Sequence, residues 1–187
     1  DAIWLEGEHG PVDYGDISDL TRGCDLWGKS SLMRVNQHDP GVIYRTLDVG
    51  AQGIAVPHVN TAEEALAVVD AAKFGPIGPR GSATGRQGIG VADYFAKAND
   101  ETMIVVLVED ILAIDNLDSI LAVDQIDVFF IAPGDLAQSM ILTGQTPHPD
   151  VKAAVDRGIK TIVDAGKVAG MLVNDSTVDD YQSKGVR

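Results

Sequence analysis

Six apolar segments, separated by helical patterns, constrain the fold of this chain more than any other feature of its sequence. Most of them are continuous apolar runs rather than alternating ones, which is typical of strands buried on both faces of a parallel sheet. The sequence therefore predicts a β-α-β-α succession. The predicted strands are Ala2–Glu6, Ser31–Val35, Gly53–Val59, Met103–Val108, Asp127–Ala132 and Val168–Val173.

The predicted helices between these strands begin with local start signals. Asp39 precedes Pro40, a combination that favours a helix beginning at the proline. Thr61 and Glu64 have the spacing of a capping box. The predicted helices are Asp16–Leu20, Pro40–Val49, Thr61–Lys73, Ile111–Val123, Asp150–Ala165 and Val178–Ser183.

Parallel βα repeats form either a doubly wound sheet or a (β/α)8 barrel. No GxGxxG motif follows the first strand and no P-loop is present, which weakens the nucleotide-binding alternative. A TIM barrel typically has about 250 residues, whereas this chain has 187 and ends on Lys184–Arg187, which resembles the approach to another strand. We therefore expect residues 1–187 to form a single, partial TIM-barrel domain that covers roughly strands 2 to 7.

Composition excludes several classes of partner. The net charge of −14 argues against nucleic acid and against an anionic membrane surface. No apolar run approaches the roughly 20 residues of a membrane-spanning helix. The single cysteine, Cys24, excludes an internal disulfide and a cysteine-only metal site, and it fits a cytoplasmic location.

Two carboxylates follow neighbouring predicted strands at the edge where barrel active sites lie. Glu109 follows Met103–Val108, and Asp135 follows Asp127–Ala132. Adjacent parallel strands are about 4.8 Å apart, so two such carboxylates repel unless a proton or a cation lies between them. This pair favours a hard divalent cation. Gly134 would let a ligand approach the backbone. The alternative is that Asp135 only caps the following helix and that Glu109 is a solvated loop residue.

Arg34 and His9 are further candidates at strand ends. An arginine within an apolar strand either binds an anionic substrate group or forms a structural salt bridge. His9 follows the first strand among acidic residues and is a candidate acid or base. His58 also lies near a strand end, but it is a weaker candidate than His9. The glycine-rich segment 75–90 contains Arg80 and Arg86, which could serve an anionic ligand or a subunit contact.

Several motifs together resemble those of the HpcH/HpaI aldolase family. They are WLEGEHGP, MRVNQHDP, LDVGAQGIAVPHV, GPIGPRG, VEDILAIDNL and APGDLAQSM, in the family's order and spacing. The resemblance covers nearly the whole chain. It implies a metal-dependent class II aldolase of the TIM-barrel fold, which forms or cleaves 4-hydroxy-2-oxo acids to or from pyruvate and an aldehyde. It also implies a homo-oligomer, a hexamer built as a trimer of dimers.

The resemblance assigns roles to individual residues. Glu109 and Asp135 match the family's metal ligands for Mg²⁺, Mn²⁺ or Co²⁺, and Arg34 matches the arginine that binds the pyruvate oxygen. His9 matches the proposed acid/base, and Asp48 matches an aspartate paired with that histidine. The backbone at Gly134 and Asp135 is expected to hold the substrate carboxylate.

The sequence departs from the family pattern at two substrate-contacting positions. Leu107 stands where many members have a glutamine that contacts pyruvate, and Gly134 stands where they have alanine. Two other functions therefore remain open. One is a citrate lyase β-like enzyme acting on CoA thioesters, and the other is a non-catalytic barrel.

Overall fold

The computed structural model describes residues 2–187 and shows an α/β fold in which every described strand pair is parallel. The residues form two compact units. Unit 1 consists of the chain up to Pro57 together with Leu66–Ile104, and unit 2 consists of His58–Ala65 and Val105–Arg187. The predicted α/β class is confirmed, while the single domain and the closed eight-stranded barrel stay predictions.

The elements follow one another in the predicted alternation. The strands are β1 (Ala2–Glu6), β2 (Ser30–Arg34), β3 (Gly53–Val56), β4 (Met103–Val108), β5 (Val128–Ile131) and β6 (Ala169–Met171). The helices are α1 (Tyr14–Leu26), α2 (Pro40–Asp48), α3 (Ala62–Ala72), α4 (Tyr94–Glu101), α5 (Ile111–Asp115), α6 (Leu117–Leu121), α7 (Pro133–Ser139), α8 (Pro149–Asp164) and α9 (Val178–Ser183). Within residues 2–187, no helix has the length and apolar character needed to cross a membrane.

In unit 1, β2 lies between β1 and β3. The register aligns Glu6 with Arg34 and Arg34 with Ala55, so the carboxyl ends of these strands lie at one edge. The core between sheet and helices is aliphatic, with Ile43 of α2 and Ile54 of β3 fully buried. This edge therefore presents the residues that follow β1 and β2 side by side.

In unit 2, β5 lies between β4 and β6. Val108 aligns with Ile131 and Ile131 with Met171, which again brings the carboxyl ends of the strands to one edge. Val186 forms an isolated parallel bridge with Ala169, so the last described residues lie beside β6. The residues that follow β4 and β5 therefore share this edge.

The predicted helix starts are confirmed by hydrogen bonds. The Asp39 carboxylate accepts from the N–H groups of Gly41 and Val42. The capping box is complete, because Thr61 Oγ1 accepts from Glu64 N–H and Glu64 Oε2 accepts from Thr61 N–H.

Several predicted boundaries were wrong. Helix α1 is longer than expected, because Asp13 and Asp16 form a capping box upstream of the predicted start. The predicted helix 111–123 is interrupted at Asn116, whose Nδ2 donates to the Asn60 carbonyl oxygen at 2.9 Å. Helices α4 and α7 were not predicted as elements. Strand β3 ends at Val56 because Pro57 has no N–H to donate and His58 has a left-handed conformation.

Candidate active site

Two clusters of polar side chains lie at the carboxyl ends of strands, one in each unit. The arginine–glutamate cluster of unit 1 consists of Glu6, Glu8 and Arg34. The histidine–carboxylate cluster of unit 2 consists of His58, Glu109 and Asp110.

In the arginine–glutamate cluster, two carboxylates hold the Arg34 guanidinium. Its Nε lies 2.8 and 3.0 Å from the carboxylate oxygens of Glu6, and its Nη1 lies 2.8 Å from Glu8 Oε2. The arginine ends β2 and its side chain is largely buried. The predicted structural salt bridge is thus present. It also orients the guanidinium rigidly, which a role in binding substrate requires.

The loop after β1 folds over the Glu6 carboxylate. Glu6 Oε1 accepts from the backbone N–H groups of Glu8 and His9, each at 2.9 Å. Partial burial raises the pKa of Glu6, but the hydrogen bonds from Arg34, from His9 and Glu8 N–H, and from the Trp4 indole outweigh it and lower the pKa to about 2. Glu6 is therefore ionised at neutral pH.

His9 lies at the surface of this loop. Its side chain is 66% exposed, and its Nε2 is 3.9 Å from Glu8 Oε2. The predicted pairing of His9 with Asp48 is not formed among the described residues. Asp48 instead accepts from Arg80 Nη2 at 2.7 Å, because the buried Arg80 guanidinium requires an anionic partner. The catalytic role assigned to Asp48 stays a prediction.

The glycine-rich segment provides structural ion pairs within unit 1. Arg80 pairs with Asp48, and Arg86 pairs with Asp25 of α1. The guanidinium of Arg80 also lies 4.4 Å from the centre of the Phe74 ring. Both arginines that were considered for an external anion are therefore engaged by acids of the chain itself.

In the histidine–carboxylate cluster, Glu109 is the central group. It follows β4 directly, and its side chain is only 1% exposed. Its Oε1 accepts from the His58 N–H at 2.8 Å and lies 3.5 Å from His58 Nδ1. A buried carboxylate is costly unless hydrogen-bond donors or positive charge compensate for its lost hydration.

His58 is attached to the same cluster by its ring. Its Nδ1 lies 3.0 Å from Asp110 Oδ2, while its own φ of 53° is unusual for a residue with a side chain. Sequence analysis gave this histidine low weight, since the positive φ and the contact with a residue 51 positions away are not visible in a linear pattern. The motif P-H after an apolar strand was the one available indication. Glu8 was missed altogether.

Asp135 and Gly134 lie in the first turn of α7, at the same edge of unit 2 as Glu109. Asp135 is partly exposed, and among residues 2–187 its carboxylate has no hydrogen-bond or ion-pair partner. A Cβ added to Gly134 would meet no atom within 4 Å, so there is open space beside this backbone. The metal-ligand role of Asp135 stays a prediction.

Leu107 lies two residues before Glu109 on β4. The period-two alternation of a strand directs both side chains to the same face. Leu107 is buried. The structure therefore places an apolar group where the resemblance implies a polar contact with pyruvate.

The donor set of unit 2 fits a divalent cation. His58 and Glu109 offer ligand atoms within 4.8 Å of one another, and Glu109 supplies a buried carboxylate oxygen. Carboxylate oxygen suits Mg²⁺ and Mn²⁺, and imidazole suits later transition metals. The two side chains therefore offer ligand atoms of both kinds.

Comparison with known proteins gives a consistent result. The family model described as HpcH/HpaI aldolase/citrate lyase matches residues 1–185. The hydroxypyruvate/pyruvate aldolase of Roseobacter denitrificans is 41% identical over 179 residues, which cover 94% of this chain and 70% of that protein. The 2-keto-3-deoxy-L-rhamnonate aldolase of Klebsiella pneumoniae is 38% identical over 180 residues, with 94% and 67% covered.

A solved structure shares the fold over the whole chain. The HpcH/HpaI aldolase/citrate lyase family protein from Burkholderia cenocepacia superimposes with a TM-score of 0.93 at 29% identity. The match covers 100% of this chain and 77% of that one.

Proposed function

Because the chain belongs to the HpcH/HpaI aldolase/citrate lyase family, we propose that it is a metal-dependent class II aldolase. The reaction cleaves 4-hydroxy-2-oxo acids to pyruvate and an aldehyde, or forms them from these two compounds. Relatives named as aldolases, at 41% and 38% identity over 94% of the chain, support a carbon–carbon lyase.

One observation in the structure carries the proposal. Glu109, at the carboxyl end of β4, holds a carboxylate in a nearly inaccessible position beside an imidazole. Burying a carboxylate is costly unless its charge is used or compensated. A cation site explains why an acid is retained there in place of an apolar residue.

Glu109 and Asp135 are the proposed ligands of the cation. When bound, a divalent cation acts as a Lewis acid on the oxygens of a 2-oxo acid. The chain's own residues then bind and orient the substrate. The first-turn N–H groups of Gly134 and Asp135 are the proposed donors to its carboxylate.

Arg34 and His9 have the remaining proposed roles. The Arg34 guanidinium, held in place by Glu6 and Glu8, donates to the keto oxygen and stabilises negative charge that develops there. His9 removes the proton from the 4-hydroxyl group in the cleavage direction. No lysine Schiff base is required, and Lys73 donates to the carbonyl oxygens of Asn99 and Thr102.

The test is pyruvate release from a panel of 4-hydroxy-2-oxo acids. The protein is treated with EDTA and then supplied with Mg²⁺, Mn²⁺ or Co²⁺. We expect release only with metal, and a loss of about 100-fold or more in Glu109→Gln. Glu63→Gln is the matched control, because Glu63 is an exposed acid of the same unit. Undiminished activity of Glu109→Gln would falsify the assignment.

Adding CoA thioesters to the substrate panel separates the two alternative functions. Turnover of CoA thioesters but not of 4-hydroxy-2-oxo acids would support the citrate lyase β-like enzyme, and no turnover with any metal would support the non-catalytic barrel. The homo-hexamer stays a prediction that analytical ultracentrifugation tests.

A further inference from the structure

A cavity of about 570 Å³ lies at the amino-terminal edge of the sheet of unit 1. Ala2, Ser30 and Gly53, the first residues of β1, β2 and β3, line it. Glu6 lies four positions after Ala2 along β1, so the two edges of the sheet are about 13 Å apart. The cavity is therefore separate from the arginine–glutamate cluster, and its volume is typical of small-molecule sites.

Apolar side chains form part of the cavity wall. They come from β2, from α2, from the segment before α4 and from the start of β4, and they are Leu32, Leu47, Val91 and Met103. The side chains of Val91 and Met103 remain exposed to solvent. An aliphatic group placed in the cavity would remove apolar surface from water, which favours binding.

Two polar groups of the wall have incomplete hydrogen bonding. The Arg80 side chain is only 2% exposed, and it donates from Nη1 to the Ala72 carbonyl oxygen and from Nη2 to Asp48. Its Nε is buried and has no partner among residues 2–187. The same holds for Gln87 Oε1, although Gln87 Nε2 donates to the Ala51 carbonyl oxygen. Such buried atoms are rare in native proteins, and they point to a partner from outside the chain.

Helix α4 adds two opposite charges to the cavity. Lys97 and Glu101 both line it, both are exposed, and neither forms an ion pair among residues 2–187. They are four positions apart on one helix face, in the order that pairs less well. The Tyr94 hydroxyl also lines the cavity, and burial raises its pKa, so it is a hydrogen-bond donor at neutral pH. The cavity thus presents a cation, an anion and a neutral donor.

We propose that this cavity binds an aliphatic α-amino acid as its zwitterion. Lys97 and the Tyr94 hydroxyl donate to the ligand carboxylate, and Glu101 accepts from the ligand ammonium group. The aliphatic side chain of the ligand packs against Leu32 and Met103. A ligand with a single charge would leave either Lys97 or Glu101 without a partner, whereas a zwitterion pairs with both.

The experiment measures binding by isothermal titration calorimetry with three probes that share one hydrocarbon skeleton. L-leucine carries both charges, 4-methylpentanoate lacks the ammonium group, and 3-methylbutylamine lacks the carboxylate. We expect saturable binding of leucine. Each analogue should bind about 10-fold more weakly or worse, because it loses one charge-assisted hydrogen bond.

Single substitutions assign each charge of the ligand to its partner. Lys97→Gln and Glu101→Gln should each raise the Kd for leucine about 10-fold. Lys97→Gln should leave the affinity for 3-methylbutylamine unchanged, and Glu101→Gln should leave that for 4-methylpentanoate unchanged. Lys152→Gln is the matched control, since Lys152 is an exposed lysine of α8 outside the cavity. Circular dichroism verifies that each variant is folded.

Four results would overturn the proposal. They are the absence of saturable leucine binding, an analogue that binds as tightly as leucine, a leucine Kd unchanged in both Lys97→Gln and Glu101→Gln, and displacement of leucine by pyruvate, which would place leucine at the candidate active site. The measurement requires no turnover, so it tests this inference even if the proposed aldolase function fails.

Discussion

The salt bridge between Glu6 and Arg34 predicts a specific dependence of stability on pH. The pKa of Glu6 is lowered from 4.5 to about 2 in the folded protein. A carboxyl group with a depressed folded-state pKa stabilises the protein fully above its unfolded pKa, and it loses this contribution as the pH falls through the folded pKa. The pH window is therefore from 4.5 down to about 2.

The size of the effect follows from the same lowering of the Glu6 pKa. About 2.5 pH units correspond to ~3.4 kcal/mol for a fully shielded group. The Glu6 side chain is 31% exposed, and solvent screening reduces the contribution to about 1.5 kcal/mol. In Glu6→Gln the charged interaction is absent at every pH. The difference in unfolding free energy between wild type and variant should therefore be about 1.5 kcal/mol at pH 7 and lose more than half of that by pH 3.

Urea unfolding followed by circular dichroism at pH 7, 5, 4 and 3 measures this difference. Glu63→Gln provides the baseline, because this exposed acid forms no described ion pair and its difference from wild type should stay flat. A Glu6→Gln difference that is constant from pH 7 to pH 3, or that grows on acidification, would refute the linkage argument.

Two further predictions compare matched substitutions by chemical denaturation. Asp48→Asn leaves the buried Arg80 guanidinium without its anionic partner and should lower the free energy of unfolding by about 3 kcal/mol. Asp115→Asn breaks an exposed pair and should lower it by less than about 1 kcal/mol. Equal losses would contradict the role of burial. Gly7→Ala would place a Cβ 2.7 Å from a backbone carbonyl oxygen and should lower the free energy of unfolding by about 1–3 kcal/mol. Gly134→Ala meets open space and should change it by less than about 0.5 kcal/mol. A neutral Gly7→Ala would show that the loop relaxes.

The sequence alone was sufficient for the features that depend on neighbouring residues. Apolar segments identified the six strands found in residues 2–187, and the helix starts at Asp39 and Thr61 were predicted from capping chemistry. Glu109 was identified because a carboxylate directly after an apolar strand is locally conspicuous. The family resemblance, carried by motifs in order, is confirmed over residues 1–185.

Only the tertiary structure decided which side chains meet. Asp48 pairs with Arg80 rather than with His9, because a buried guanidinium 32 positions away requires an anionic partner. His58 acquires its role from a backbone conformation and from Glu109, 51 positions along the chain. Such partners depend on strand register and on packing between elements, and these are set by the whole core rather than by any local pattern of residues.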